Sequence, residues 1–62
     1  MTLDLAVLIP VAEYRLHPEV ARAMAIAALD KGAERLGGKL GVITTETFGE
    51  MVEWFATVEV AE

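Results

Sequence analysis

Residues 17–38, HPEVARAMAIAALDKGAERLGG, decide the fold, because they contain the start, the body and the end of one long helix. Pro18 suits the first helical turn, and Glu19 favours the positive end of the helix dipole. Arg35 lies in the last turn, and the glycine pair that follows at 37–38 stops the helix. We therefore predict a helix over about residues 18–36, roughly 28 Å long at ~1.5 Å per residue.

A helical wheel of this segment predicts one charged arc and one broad apolar surface. The charged arc consists of Glu19, Asp30, Lys31, Glu34 and Arg35. The opposite side is made mostly of small residues and is predicted to face a sheet: Ala21, Ala25, Ala28, Leu29, Gly32 and Leu36. In the middle turns, residues 23–29 (AMAIAAL) have no polar side chain at all. A sheet covers only one side of a helix, so we expect a second subunit to cover the rest.

Residues 3–9, before the helix, alternate as a strand does. One face of this strand carries Leu3, Leu5, Val7 and Ile9. Pro10 cannot donate to a ladder, so it marks an irregularity or the end of the strand. We expect residues 11–16 (VAEYRL) to continue the strand beyond it.

Two further strands are predicted after the helix, at about 40–47 and about 51–60. The last one alternates strictly, with Val52, Trp54, Ala56, Val58 and Val60 on one face. Residues 48–50 (FGE) can close a hairpin between the two strands. One alternative stays open for residues 47–56: Thr47 and Glu50 fit a capping box, and the apolar residues that follow have helical spacing.

The sequence thus predicts a single α+β domain over residues 1–62, with the order β-α-β-β. In this fold one long helix packs on a three-stranded antiparallel sheet.

Composition narrows the functional classes. The chain has no cysteine and one histidine, which excludes disulfides and the usual zinc sites. Its net charge is −5, and its five basic residues are scattered, so we expect no nucleic acid or membrane partner. The apolar N-terminus lacks the basic region of a signal peptide, which favours the cytoplasm. With 55 % hydrophobic residues in 62, we expect the chain to pair with itself as a dimer or larger homo-oligomer.

No set of residues predicts catalysis, a cofactor or a metal site. His17 could act as a general base or ligand, but its place before proline is typical of a helix start. The carboxylates at 46, 50, 53 and 59 could pair for acid–base chemistry, but they are also typical of the solvated face and edge of a sheet. The glycines at 37, 38 and 41 follow a helix, whereas a phosphate loop precedes one. We therefore expect that the protein is not an enzyme.

Large apolar side chains are the best candidates for contact with a partner: Met24, Ile26, Trp54, Phe55 and Tyr14. Trp54 is aligned with four apolar residues, which favours a place in the core. Phe55 lies on the charged face of the same strand and is the better candidate for a contact residue.

The order of elements and the chain length resemble those of dodecins, small β-α-β-β proteins that assemble into shells and bind flavins. The rhythm of residues 49–60, GEMVEWFATVEV, is similar to the last strand of that family. Dodecins carry a flavin-stacking tryptophan on the second strand, where this chain has LGVITTETF, and a glutamine on the last strand near Phe55. The resemblance therefore implies an architecture and an assembly more than a flavin site.

We accordingly expect a small, acidic, non-enzymatic homo-oligomer that acts through protein–protein contact, with another protein as an additional partner to consider. The alternative is an oligomer of dodecin-like architecture that binds a small, flavin-like molecule. The sequence does not name the ligand or the stoichiometry, nor whether helix or sheet makes the main subunit contact.

Overall fold

The computed structural model describes residues 1–61, which form an α+β fold with one long helix on a four-stranded antiparallel sheet. The elements are β1 (Thr2–Pro10), α1 (Val11–Leu16), α2 (Pro18–Leu36), β2 (Gly38–Leu40), β3 (Thr44–Phe48) and β4 (Met51–Val60). β4 is the central strand. β1 pairs along one edge of β4, while β2 and β3 follow each other along the opposite edge.

The predicted bounds of the long helix are confirmed. Pro18 occupies the first position of α2, and Gly37 ends the helix in the left-handed conformation, at φ 69°. His17, just before α2, has φ −142° and ψ 72°, and its carbonyl accepts a hydrogen bond from the Ala21 N–H at 2.9 Å. The His17 imidazole makes no capping hydrogen bond.

The prediction that residues 11–16 continue the first strand is wrong, because they form helix α1. Pro10 ends β1 and precedes the first residue of α1, with φ −60° and ψ 138°. Val11 still donates its N–H to the Glu50 carbonyl at 2.8 Å, so one ladder bond continues past the strand. Beyond it, Ala12, Glu13, Arg15 and Leu16 are all good helix formers, and the helix brings Tyr14 back over the core.

The single strand predicted over 40–47 is two strands, which corrects the strand count from three to four. Leu40 pairs with Val58, but Thr44 pairs with Phe55, so three residues of one strand lie opposite two of the other. One extra residue in an antiparallel strand is a bulge, which interrupts the ladder. Val42 lies in this interruption and is 85 % exposed.

The hairpin between β3 and β4 is confirmed, and the helical alternative for residues 47–56 is wrong. Phe48 pairs with Met51, which leaves a two-residue turn of Gly49 and Glu50. Gly49 has φ 58°, while Glu50 has a negative φ. A glycine with positive φ in the first position is typical of a type II′ turn, whose twist suits a hairpin.

The core lies between α2 and one face of the sheet, called the inner face below. Its buried residues are Ile9, Ala21, Ala25, Leu29, Ala33, Val52, Trp54, Ala56 and Val58. The predicted faces of β1 and β4 point inward as expected. The predicted helix face needs a correction, because Ala28 is exposed and Leu36 is 38 % exposed, while Ala33 is buried. The buried residues follow an i, i+4 row, which is inclined to the helix axis where a helix crosses a twisted sheet.

A glycine also sets how closely β2 approaches β4. A Cβ at Gly38 would lie 2.5 Å from the Glu59 carbonyl oxygen and 2.6 Å from Val58 Cγ1. We expect Gly38→Ala to lower the free energy of unfolding by about 1–3 kcal/mol, since the clash is with backbone and with a buried side chain. Urea unfolding followed by circular dichroism, at one fixed protein concentration, measures this loss.

The neighbouring Lys39→Ala is the matched control, because Lys39 is exposed and its loss should change stability by less than about 0.5 kcal/mol. Equal stability of G38A and K39A would contradict the close approach.

Candidate functional site

The outer face of the sheet, which points away from the helices, combines carboxylates with apolar side chains. Strand pairing arranges it in rows across β1, β4 and the β2/β3 edge. The row at one end is polar: Thr2 Oγ1 donates to Glu59 Oε1 at 2.6 Å, and Lys39 pairs with Glu59 from the other side. Toward the hairpin the rows become apolar, with Ala6, Leu8, Phe48, Met51 and Phe55. None of the helices within residues 1–61 covers this face.

Two carboxylates oppose each other in the middle of the apolar rows. Glu46 of β3 pairs directly with Glu53 of β4, and Leu8 of β1 pairs with Glu53 from the other side. Like charges directly opposite in an antiparallel pair are destabilising. Of the four carboxylates considered from the sequence, the structure brings these two together, while Glu50 lies in the turn and Glu59 in the polar row.

A groove opens on the inner face, between α1 and the strands β3 and β4. It has a volume of about 340 Å³ and is lined by Val11, Tyr14, Arg15, Thr45, Thr47 and Val52. All of β3 is exposed, so the groove is open on that side. The volume lies at the lower end of the range of small-molecule sites.

Tyr14, which lines this groove, forms an aromatic pair with Trp54 of the core. Their rings are stacked, with centroids 6.0 Å apart and an interplanar angle of 20°. Trp54 is 5 % exposed, and its Nε1–H is buried without a hydrogen-bond partner among residues 1–61. A buried donor without a hydrogen-bond partner costs free energy, so the Trp54 indole beneath α1 lowers the stability of the core.

The candidate contact residues from the sequence have very different surroundings. Met24 is 65 % exposed on α2, while Ile26 is half-buried against the core. Trp54 lies in the core, and Tyr14 is half-buried against it. Phe55 is half-buried on the outer face, on the side of the sheet opposite Trp54.

Sequence reasoning did not single out several exposed apolar residues. Leu16 at the end of α1, Val42 in the bulge and Phe48 at the hairpin are each more than half exposed. Leu16 and Phe48 lie in segments whose sequence defines no buried or exposed face. The extra residue that exposes Val42 has no signal in the sequence pattern.

Several other kinds of site find no support in the part of the chain that the structure describes. Residues 1–61 contain no group of three or more histidine and carboxylate side chains placed to hold a metal. None of their helices is long and apolar enough to cross a bilayer. Gly37, Gly38 and Gly41 follow a helix C-terminus, as expected from their order in the chain.

The carboxylate pair can be tested by reversing one charge. Glu46→Lys replaces a repulsive cross-strand pair with an attractive one, and we expect the free energy of unfolding to rise by about 0.5 kcal/mol. Urea unfolding at fixed protein concentration measures the gain.

Glu50→Lys is the control, because it makes the same change in net charge within the turn, where no strand residue lies opposite. An equal gain in both variants would mean that net charge alone, and not the Glu46–Glu53 pairing, is responsible.

No model of a known protein family, no curated protein and no solved structure matches this chain.

Proposed function

We propose that this protein is a small, acidic, non-enzymatic homo-oligomer that acts through protein–protein contact. The observation that supports this most directly is its excess of exposed surface. The single chain exposes 4535 Å². A compact monomer of 6.7 kDa is expected to expose about 3,900 Å². The difference, about 600 Å², is three quarters of the roughly 800 Å² that one partner contributes to a standard interface.

The shape of the chain agrees with this excess. Its radius of gyration is 12.2 Å, whereas a compact domain of this length is expected to have about 10.6 Å. Of the nine buried residues, four are alanines, and only Leu29 and Val58 are large and fully buried. Most of the chain's large apolar side chains therefore keep part of their surface in water.

Helix α2 presents its own share of this surface. Val20 and Met24 are one turn apart on α2 and are both more than half exposed. Further along the same side, beyond the alanines, lie Lys31 and Arg35. This side of the helix is distinct from the row that packs on the sheet. We propose that the apolar half of this side, with Val20 and Met24, contacts a second subunit. Met24 is the part of this surface that belongs to residues 23–29.

The substitution Met24→Gln tests this contact, since the two side chains have similar length and helix propensity. We expect the dissociation constant of the oligomer to rise about tenfold, equivalent to ~1.4 kcal/mol. Light scattering across a dilution series measures it.

The control is Ala23→Gln, which places the same side chain about 100° around α2 from Met24, at a residue that is also exposed. A folded monomer for the unmodified protein at all concentrations would contradict the proposed function itself. Equal affinities for M24Q and A23Q would exclude the contact through Met24.

A second candidate function, binding of a small planar molecule in an oligomer of dodecin-like architecture, is favoured by the groove beside the Tyr14–Trp54 stack. The groove combines an aromatic ring, a guanidinium and two threonine hydroxyls. Riboflavin is a suitable probe, because Trp54 is the only tryptophan and its fluorescence reports a ligand near the stack.

We expect saturable quenching of Trp54 fluorescence by riboflavin, weakened at least tenfold in Tyr14→Leu. Phe55→Leu is the control, because it removes an aromatic ring from the opposite face of the sheet. Linear, unsaturable quenching would contradict the second candidate and leave the first intact.

A further inference from the structure

The edge of β1 that faces away from β4 has no partner strand within residues 1–61. Met1 and Val60 exchange both backbone hydrogen bonds, at 2.8 and 3.0 Å, so they form a hydrogen-bonded pair of the antiparallel ladder. Such pairs recur at every second residue. The odd-numbered residues of β1 therefore bond to β4, and the even-numbered residues direct their N–H and C=O groups away from the sheet.

The outward groups belong to Thr2, Asp4, Ala6 and Leu8, with the carbonyl of Pro10 after them. None of the four N–H groups has a hydrogen-bond partner within the described chain. Both helices contact β1, but Thr2, Asp4, Ala6 and Leu8 are all exposed. β1 thus offers a continuous row of free donors and acceptors.

The two edges of the sheet differ in how they are protected against pairing. The β2/β3 edge is interrupted by the bulge, and its longer strand is polar, with three threonines and Glu46. The β1 edge is uninterrupted over nine residues, and residues 5–9 (LAVLI) contain neither charge nor proline. Natural sheets usually blunt an exposed edge with charges, prolines, bulges or a covering element. Over most of its length β1 has none of these.

We propose that the β1 edge pairs antiparallel with β1 of a second copy of this chain, which deepens the proposed homo-oligomer and rests on it. The pairing joins the two sheets into one, with a two-fold axis at the junction. Because each chain has one unprotected edge, the contact closes after two copies and does not extend into a fibre.

The β1 sequence is complementary to itself in this arrangement. A register centred on Ala6 places Asp4 of each chain opposite Leu8 of the other, so the two aspartates do not face each other. On the inner face the same register places Leu5 opposite Val7 of the second copy. Both side chains are only half-buried in the single chain, so the pairing extends the apolar core across the junction.

Amide hydrogen exchange of the unmodified protein tests the proposal residue by residue. Exchange into deuterium, quenched and read by NMR of the dissolved chain, separates odd from even amides of β1. We expect the Asp4, Ala6 and Leu8 amides to be protected to within about tenfold of Leu5 and Val7. If β1 ends the sheet, only the odd-numbered amides are protected, and the proposal fails.

Ala6→Pro provides an independent test, since it removes one outward N–H but no bond to β4. Its matched control is Thr47→Pro, which removes an outward N–H from the opposite edge, because the even-numbered residues of β3 pair with the odd-numbered residues of β4. We expect A6P to raise the dissociation constant at least tenfold over T47P.

The results of these two experiments distinguish pairing at the β1 edge from the proposed homo-oligomer itself. An oligomer with alternating protection in β1, or with equal affinities for A6P and T47P, overturns the edge pairing and leaves the homo-oligomer standing. A monomer overturns both.

Discussion

The close packing of an alanine row on the sheet is the constraint on which the rest of this structure depends. Ala21, Ala25 and Ala33 bring the backbone of α2 near the inner face, with Leu29 as the one large side chain in the row. Trp54 fills the remaining space beyond the helix, under Tyr14. A row of small residues gives a tight contact but buries little apolar area, and buried apolar area is the main source of stability.

Because the core is small, apolar side chains stay exposed in both the helix layer and the sheet. The helix layer leaves Leu3, Leu5 and Val7 of β1 half-buried, with only Ile9 of that strand buried, and leaves β3 exposed. The apolar side chains that α2 cannot direct at the sheet, Val20 and Met24, face outward. On the outer face of the sheet, Leu8 and Phe48 are likewise more than half exposed. The chain has no cysteine and so no disulfide to stabilise so small a core, and we propose that association stabilises it instead.

Much of the fold could be predicted because its signals are local. Proline at the start and glycine at the end defined α2 to the residue, and strict alternation defined the inner face of β4. The glycine turn predicted the hairpin.

Where the local structure depends on tertiary contacts, the prediction from the sequence was wrong or incomplete. Residues 11–16 suit either a strand or a helix by their sequence. In the structure they form a helix, and Tyr14 of that helix stacks on Trp54. The bulge between β2 and β3 depends on register with β4, which the sequence pattern does not reveal. Exposed apolar area could be predicted as a property of the chain better than as a set of residues.

The most direct test of the account is the dependence of stability on protein concentration. A chain whose apolar surfaces are covered only in an assembly is more stable at higher concentration, because association draws the equilibrium toward the folded state. We expect the urea midpoint of the unmodified protein to rise steadily with protein concentration. A cooperative transition whose midpoint stays the same at every concentration would contradict it, and would mean that the alanine-row core is sufficient on its own.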